Sequence, residues 1–336
     1  MSTDLSLGTG PGTPVDQAEA ATPLRPKRGR LGGRVWRVVS RVGVLLSIAW
    51  LLVVIIGAVF APVLPIQDPN ATDPCSGLAA QLYQGVPRSS LPASTACPDP
   101  TFDSRPGAHP SGLHTLGLDE SGRDVLARLV WGGRVSMTVG FVAVGIGSAV
   151  GALIALFAAY LGGWFERTAS AITDAMLSFP AILVVICVVA FRGQSLSAVS
   201  FGVAFACVPA MYRIARVGVL SMKVRDHILM DRILGIRPLR TIWVGIALNI
   251  APAVITYFLV LAAGGIVIEG GLAFLGLSVP QPTSSWGSMI SGGEDLLQTS
   301  PLVSLIPSAA LVATVAAIGC LAEFLRKRQA IRGSAL

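Results

Sequence analysis

Charge is scarce in this chain. Of its 336 residues only 13% are Asp, Glu, Lys or Arg, while 53% belong to the hydrophobic set and the mean hydropathy is +0.70. Soluble domains carry roughly 25% charged residues, so a single soluble core is excluded. The shortage is also local: residues 42–60, 135–161, 175–191, 193–212, 241–268 and 302–321 contain no Asp, Glu, Lys, Arg or His. A helix needs about 20 apolar residues to cross a hydrocarbon core of about 30 Å, and one charge at its centre costs about 2.5–3.5 kcal/mol. These six runs therefore read as membrane spans, the third being the shortest. None alternates with period 2, which argues against a β-barrel.

Chemical motifs are lacking too. There is no H-E-x-x-H, no Cys or His metal spacing and no G-x-x-x-x-G-K-[ST], so no catalytic residue, metal site or cofactor is expected in the chain itself. His109, His114 and His227 are scattered through loops and read as solvated surface residues. No span holds the carboxylate or imidazole that a proton-coupled carrier buries. Uphill transport through such a chain would draw its energy from another protein. The classes that remain are a pore subunit driven by a partner, a self-sufficient secondary transporter or channel, and a membrane scaffold.

What charge there is falls unevenly. With both termini inside, the inner segments hold nineteen of the 25 Lys and Arg: seven in 1–41, then Arg167, seven in 213–240 and four in 326–332. The excess of basic residues on one side sets the orientation, and the net charge of +7 reads as topology and contact with anionic lipid, not nucleic-acid binding. Residues 1–41 are expected to form a disordered basic cytoplasmic tail, 42–62 a retained first transmembrane helix, and 326–336 a second cytoplasmic tail. The external segment 63–134 is Pro-rich and closes with an amphipathic stretch, 123–131, expected to lie as a separate helix at the outer interface. Cys75 and Cys97 occupy this segment on the oxidising side, where they either pair and staple the insert or stand as two free thiols. Cys187, Cys207 and Cys320 fall in spans and read as small packing residues.

Residues 135–325 are the expected five-helix core. Gly147 and Gly151 permit close approach of a neighbouring helix. Pro180, Pro209, Pro252 and Pro307 each remove a backbone donor and are expected to bend helices around a pathway, with kinked packing and no pore as the alternative. The external loop 269–301, with Gly271, Leu275, Gly276, Trp286 and Gly287, is expected to fold against the outer mouth and to use Trp286 as an interface anchor. The inner loop 219–240 is amphipathic. Asp226 can cap a short helix running to Leu234, Gly235 can end it, and Pro238 prevents its simple continuation. Ile228, Leu229, Ile233 and Leu234 give it one apolar stripe against Arg225, Asp231 and Arg232. A helix of this kind either grips lipid headgroups or docks a soluble partner.

Four stretches carry a resemblance. They are LGLDESGRDVLARLVWGGR at 116–134, GGWFERTASAITDAMLSFP at 162–180, the segment 226–235 with Asn249, Ile250, Ala251 and Pro252 after it, and EGGLAFLGLSVPQPTSSWGSM at 269–289. Together they resemble the inner-membrane permeases of binding-protein-dependent ATP-binding-cassette importers, specifically the C-type permease of the dipeptide/oligopeptide/nickel group. The likeness runs from about the first span to the sixth. The family's usual Glu-Ala-Ala before its Gly is absent: Leu229, Met230 and Asp231 stand there, with Gly235 in register. The last helix carries Gly319-Cys320-Leu321-Ala322-Glu323-Phe324 in place of the family's acidic ending.

The resemblance implies an all-α membrane protein with six transmembrane helices, type I importer permease architecture and both termini cytoplasmic. It implies a multi-pass location in the bacterial cell membrane and ATPase coupling through Asp226, Leu229, Met230, Asp231, Arg232, Leu234 and Gly235. It further implies a homologous B-type permease, two ATP-binding subunits that carry ATP and magnesium, an extracytoplasmic substrate-binding protein, and a di- or oligopeptide cargo, with nickel complexes and haem as other solutes of the group.

Overall fold

The computed structural model describes residues 30–87, 97, 104–111 and 114–333, without the side chains of 30–41, 83, 232 and 330–333. Regular structure among these residues is helical, apart from isolated bridges between Thr72 and Arg123 and between Leu118 and Asp124. The disordered tail expected over 1–41 lies outside the described residues as far as 29. From Arg30 on the chain is already helix, continuous with the first span as α1, Arg30–Phe60. Adding turns to an existing helix needs no new nucleus. The apolar part, Val42–Phe60, belongs to a unit that runs from Val42 to Leu336.

Among the described residues five helices are long and apolar enough to cross a membrane: Val42–Phe60, Val125–Leu161, Leu196–Lys223, Pro238–Phe274 and Leu302–Gln329. One bent pair of helices passes the same test together, which brings the number to six where the pair counts as one broken span. The spans are where the charge-free runs place them, but their ends differ, and each difference has a physical cause.

The short helix α2, Ser76–Tyr83, lies in the external insert. The separate interfacial helix expected over 123–131 does not exist. That stretch is the start of α3, Val125–Met137, which passes through a π-helical segment, Thr138–Ala143, into α4, Val144–Leu161. At 1.5 Å per residue the 37-residue rod is about 55 Å long and overshoots the hydrocarbon. Its polar first turns can stay helical there because Arg128 is buried against protein partners, not exposed to headgroups. Asp124 starts the helix, its side chain accepting from the Ala127 N–H.

The third span, expected over 175–191, is broken. α5, Gly163–Leu177, meets α6, Ala181–Arg192, at 84°. Ser178 N–H closes on Ala175 O and Phe179 N–H on Met176 O, after which Pro180 has no N–H to continue the ladder. Pro209, Pro252 and Pro307, by contrast, sit inside unbroken helices. These are α7, Leu196–Lys223; α10, Leu248–Phe274; and α12, Leu302–Gly333. Before α10 come α8, Asp226–Ile233, the single turn α9, Pro238–Arg240, and a π-helical segment, Thr241–Ala247, that joins α9 to α10. Pro238 therefore starts a helix at its first turn, where no N–H is required. Near Pro252 the polar groups are met by side chains: Asn249 Nδ2 donates to Gly245 O at 2.7 Å, and Gln329 Nε2 to Pro252 O at 2.7 Å.

α4 and α7 form the centre of the bundle. A Cβ at Gly147 would collide with the Ala204 carbonyl and one at Gly151 with the Val208 carbonyl, so the two backbones touch where these glycines stand. α1 joins α12 through Trp50 Nε1, which donates to Thr314 Oγ1 at 3.0 Å. α11, Trp286–Gly292, packs beneath the outer ends of α3, α10 and α12.

Candidate functional site

The inner segment is a tethered helix. Ile228 on α8 is fully buried among Leu156, Val219, Ile242, Ile246 and Ile250, which fastens it to α4, α7 and the start of the fifth span. Gly245 leaves room for it, since a Cβ there would lie 2.7 Å from Ile228 Cδ1. Burying one isoleucine contributes about 1.5–3 kcal/mol. Thr241 Oγ1 donates to Asp231 Oδ2 at 3.2 Å, a second tie on the same side. Gly235, at φ +68°, reverses the chain, and the Ile236 N–H returns to Asp231 O at 2.9 Å.

The stripe expected of this helix is divided. Ile228 and Asp231 face the bundle, while Leu229, Met230, Ile233 and Leu234 are exposed, the last two at 78% and 73%. Tertiary partners on the fifth span, not helical periodicity alone, choose the buried side. Asp226 is exposed in the first turn of α8. The side chain of Arg232 lies outside the described residues.

A groove of about 710 Å³ opens between the broken third span, α7 and α10. Pro180 and Pro209 line it, with Met176, Phe179, Val184, Phe205, Cys207 and Gly264, and no charged residue does so.

On the outer side Cys75 and Cys97 are joined by a disulfide, with their Cα atoms 5.1 Å apart. Of the residues expected at the outer mouth, Leu275 is exposed, Gly271 lies in α10, and Gly276 ends that helix at φ +71°. Gly287 is pressed against Gly270, where a Cβ would come within 2.6 Å of the carbonyl oxygen. Trp286 is not an interface anchor. It is buried in the core, and its Nε1 donates to Leu129 O at 2.9 Å, because the loop folds back under α3.

Sequence reasoning missed a buried polar network. His114, read as solvated, is 4% exposed. Its Nδ1 lies 3.0 Å from Asp124 Oδ2 and its Nε2 2.9 Å from Asp73 Oδ2. Burial lowers the imidazole pKa, but hydrogen bonds to Asp124 and Asp73 and the charge of both carboxylates outweigh it, so the net shift is upward from 6.5. Beside it Asp119 holds Arg123 at 2.9 Å and Arg128 at 3.2 Å, and Arg123 Nη1 reaches Gln281 at 3.0 Å. The four-residue step from Asp119 to Arg123 was the available signal for that ion pair, whereas Arg128 meets Asp119 across nine residues and His114 gives no such sign.

Glu269, placed by sequence at the start of a loop, is instead a fully buried residue of α10. It accepts from Ser136 Oγ at 2.9 Å and from Ser278 Oγ at 3.1 Å, which is how helix continues past the charge-free run. Among the described residues no three His, Cys, Asp or Glu side chains converge as metal ligands.

A bundle that offers a lined groove, with a helix bound to it by one side and bare on the other at its inner face, is the body of a multi-pass membrane permease. The chain belongs to the family of binding-protein-dependent transport system inner membrane components, whose pattern matches residues 147–332. It is similar to the dipeptide transport system permease protein DppC of Alkalihalophilus pseudofirmus, 30% identical over 315 residues that cover 93% of this chain and 91% of the relative. It is also similar to the glutathione transport system permease protein GsiD of Pectobacterium atrosepticum (32%) and of Escherichia coli O1:K1 (33%). Each of these matches spans 217 residues, 65% of this chain and 72% of the relative. The chain is thus a permease subunit of an ATP-binding-cassette importer in the bacterial inner membrane, a family that works with ATPase and substrate-binding partners.

Proposed function

We propose that this permease forms half of the translocation pathway of an importer for short peptides. The other half would come from a homologous B-type permease. ATP and magnesium would bind on two cytoplasmic ATPase subunits, so this chain itself carries no catalytic step. An external binding protein would deliver the peptide to the outer mouth around Leu275, Gly276 and the stapled insert. The peptide reading rests on the two kinds of relative, whose names refer to dipeptides and to glutathione, itself a tripeptide.

One observation carries the coupling role: α8 is bolted to the bundle by Ile228 and leaves Leu229, Met230, Ile233 and Leu234 uncovered. Exposed apolar side chains clustered on one helix mark a surface awaiting a partner. An ATPase that grips this face and moves would drag α7 and the fifth span with it.

The test is Gly235→Pro. Proline cannot adopt the positive φ found there, and a residue forced out of its backbone region costs about 1–3 kcal/mol locally. The complex should still assemble and hydrolyse ATP, while peptide uptake into liposomes falls by about an order of magnitude. Undiminished uptake would contradict the coupling role.

A further inference from the structure

α5 takes no part in the coupling contact of α8. It is a 15-residue rod with a joint at each end. At its start Gly162 and Gly163 both have positive φ, +73° and +64°. A Cβ on Gly163 would touch nothing, so glycine answers a backbone need there, not a lack of space. At its other end the chain turns through 84° into α6. Between the joints only Thr173 is buried, so apolar packing holds α5 weakly.

A polar seam on α7 holds it instead. Glu166, Ser170 and Asp174 recur every four residues and share one face of α5. Arg216 donates from Nε and Nη2 to Glu166 Oε1 at 3.0 and 2.6 Å. Ser170 Oγ lies 3.0 Å from the Tyr212 hydroxyl, and Arg213 Nη2 donates to Asp174 Oδ1 at 2.9 Å. The Arg213 and Asp174 side chains are each 63% exposed. Ion pairs so open to water are weak and screened by salt.

The far side of α5 faces the groove. Ile172, Ala175 and Met176 line it, and Phe179 and Pro180 continue the lining through the bend. Any swing of α5 about its two joints therefore parts the seam and reshapes the groove together. The arginines of the seam stand on the last turns of α7, which lead into α8. Lys223 at the end of α7 also donates to Ala159 O, three residues before the Gly162 joint.

We propose that α5 is the inner gate of the pathway, and that Glu166, Asp174, Arg213 and Arg216 are positioning residues that close it in one state and part in the other. The proposal rests on the importer reading above. Movement of α8 reaches the seam along α7, and the groove is sealed or opened at its inner end by α5.

The test uses the full importer in liposomes, with labelled dialanine and labelled glutathione as probes. Asp174→Cys and Arg213→Cys together are joined by a short, reducible bis-thiol reagent, and the wild type treated alike is the control. The expected result is that uptake and binding-protein-stimulated ATP hydrolysis both fall by about an order of magnitude beyond the control and return on reduction. A seam that is merely structural stays shut through turnover, so unchanged activity of the cross-linked complex would overturn the gate. A second variant, Glu166→Gln with Asp174→Asn, keeps the shape and removes both charges; peptide moved per ATP should fall several-fold, and an unchanged ratio also overturns it. If the wild type hydrolyses ATP yet imports neither probe, the peptide reading fails, and the effect of the cross-link on hydrolysis still decides the gate.

Discussion

An imidazole wedged between Asp73 and Asp124 should make the stability of the external cap depend on pH. The folded pKa of His114 lies above its ordinary 6.5, so the stabilisation it supplies is fully present below that value and is lost as pH rises through the raised one. Amide protection over residues 104–124, corrected for intrinsic exchange rates, should therefore fall as pH rises from mildly acidic to mildly alkaline. His114→Gln should abolish that dependence, and a flat wild-type profile would contradict the assignment. This site was not legible in the sequence. Its two carboxylates lie 41 and 10 residues away in the chain, and a lone histidine in a loop gives no sign of either. Glu269 was hidden for a related reason: α3 and the loop after α10 bring Ser136 and Ser278 to it, and sequence shows only a charge that ends an apolar run.

Among the elements, the spans themselves were legible because a hydrocarbon core forbids charge, and charge-free runs are visible directly. Their ends were not. Helix continues past an apolar run wherever protein covers the polar residues, as around Arg128 and Glu269, or where water solvates them, as at Arg213. The 84° break was half-visible: Pro180 marks it, yet three other prolines sit in unbroken helices, so a proline in the sequence does not by itself tell a break from a tolerated position. The short inner helix lies where its amphipathic pattern and Gly235 place it, but its buried side is set by the fifth span. The Gly147–Gly151 pair predicted close helix contact, and α7 occupies that space. Gly151→Val should separate α4 from α7 and destabilise the bundle by about 1–3 kcal/mol, as overpacking of a tight contact does. Thermal unfolding in detergent measures it, and an unchanged midpoint would mean that the backbones do not touch.

For the whole molecule the question is how work done on ATP outside this chain becomes motion of helices within it. In the proposed coupling, a helix pinned by Ile228 and bare at Leu229, Met230, Ile233 and Leu234 would receive the push, and α7 would carry it to the groove. The most direct measurement is co-purification of the ATPase subunits with the permease pair in mild detergent, comparing wild type with Ile233→Asp and Leu234→Asp together. Both side chains are exposed, so the bundle and its pairing with the second permease should survive. The ATPase should be lost from the double variant while the permease pair stays intact. Retention of the ATPase at wild-type level would contradict the proposed coupling.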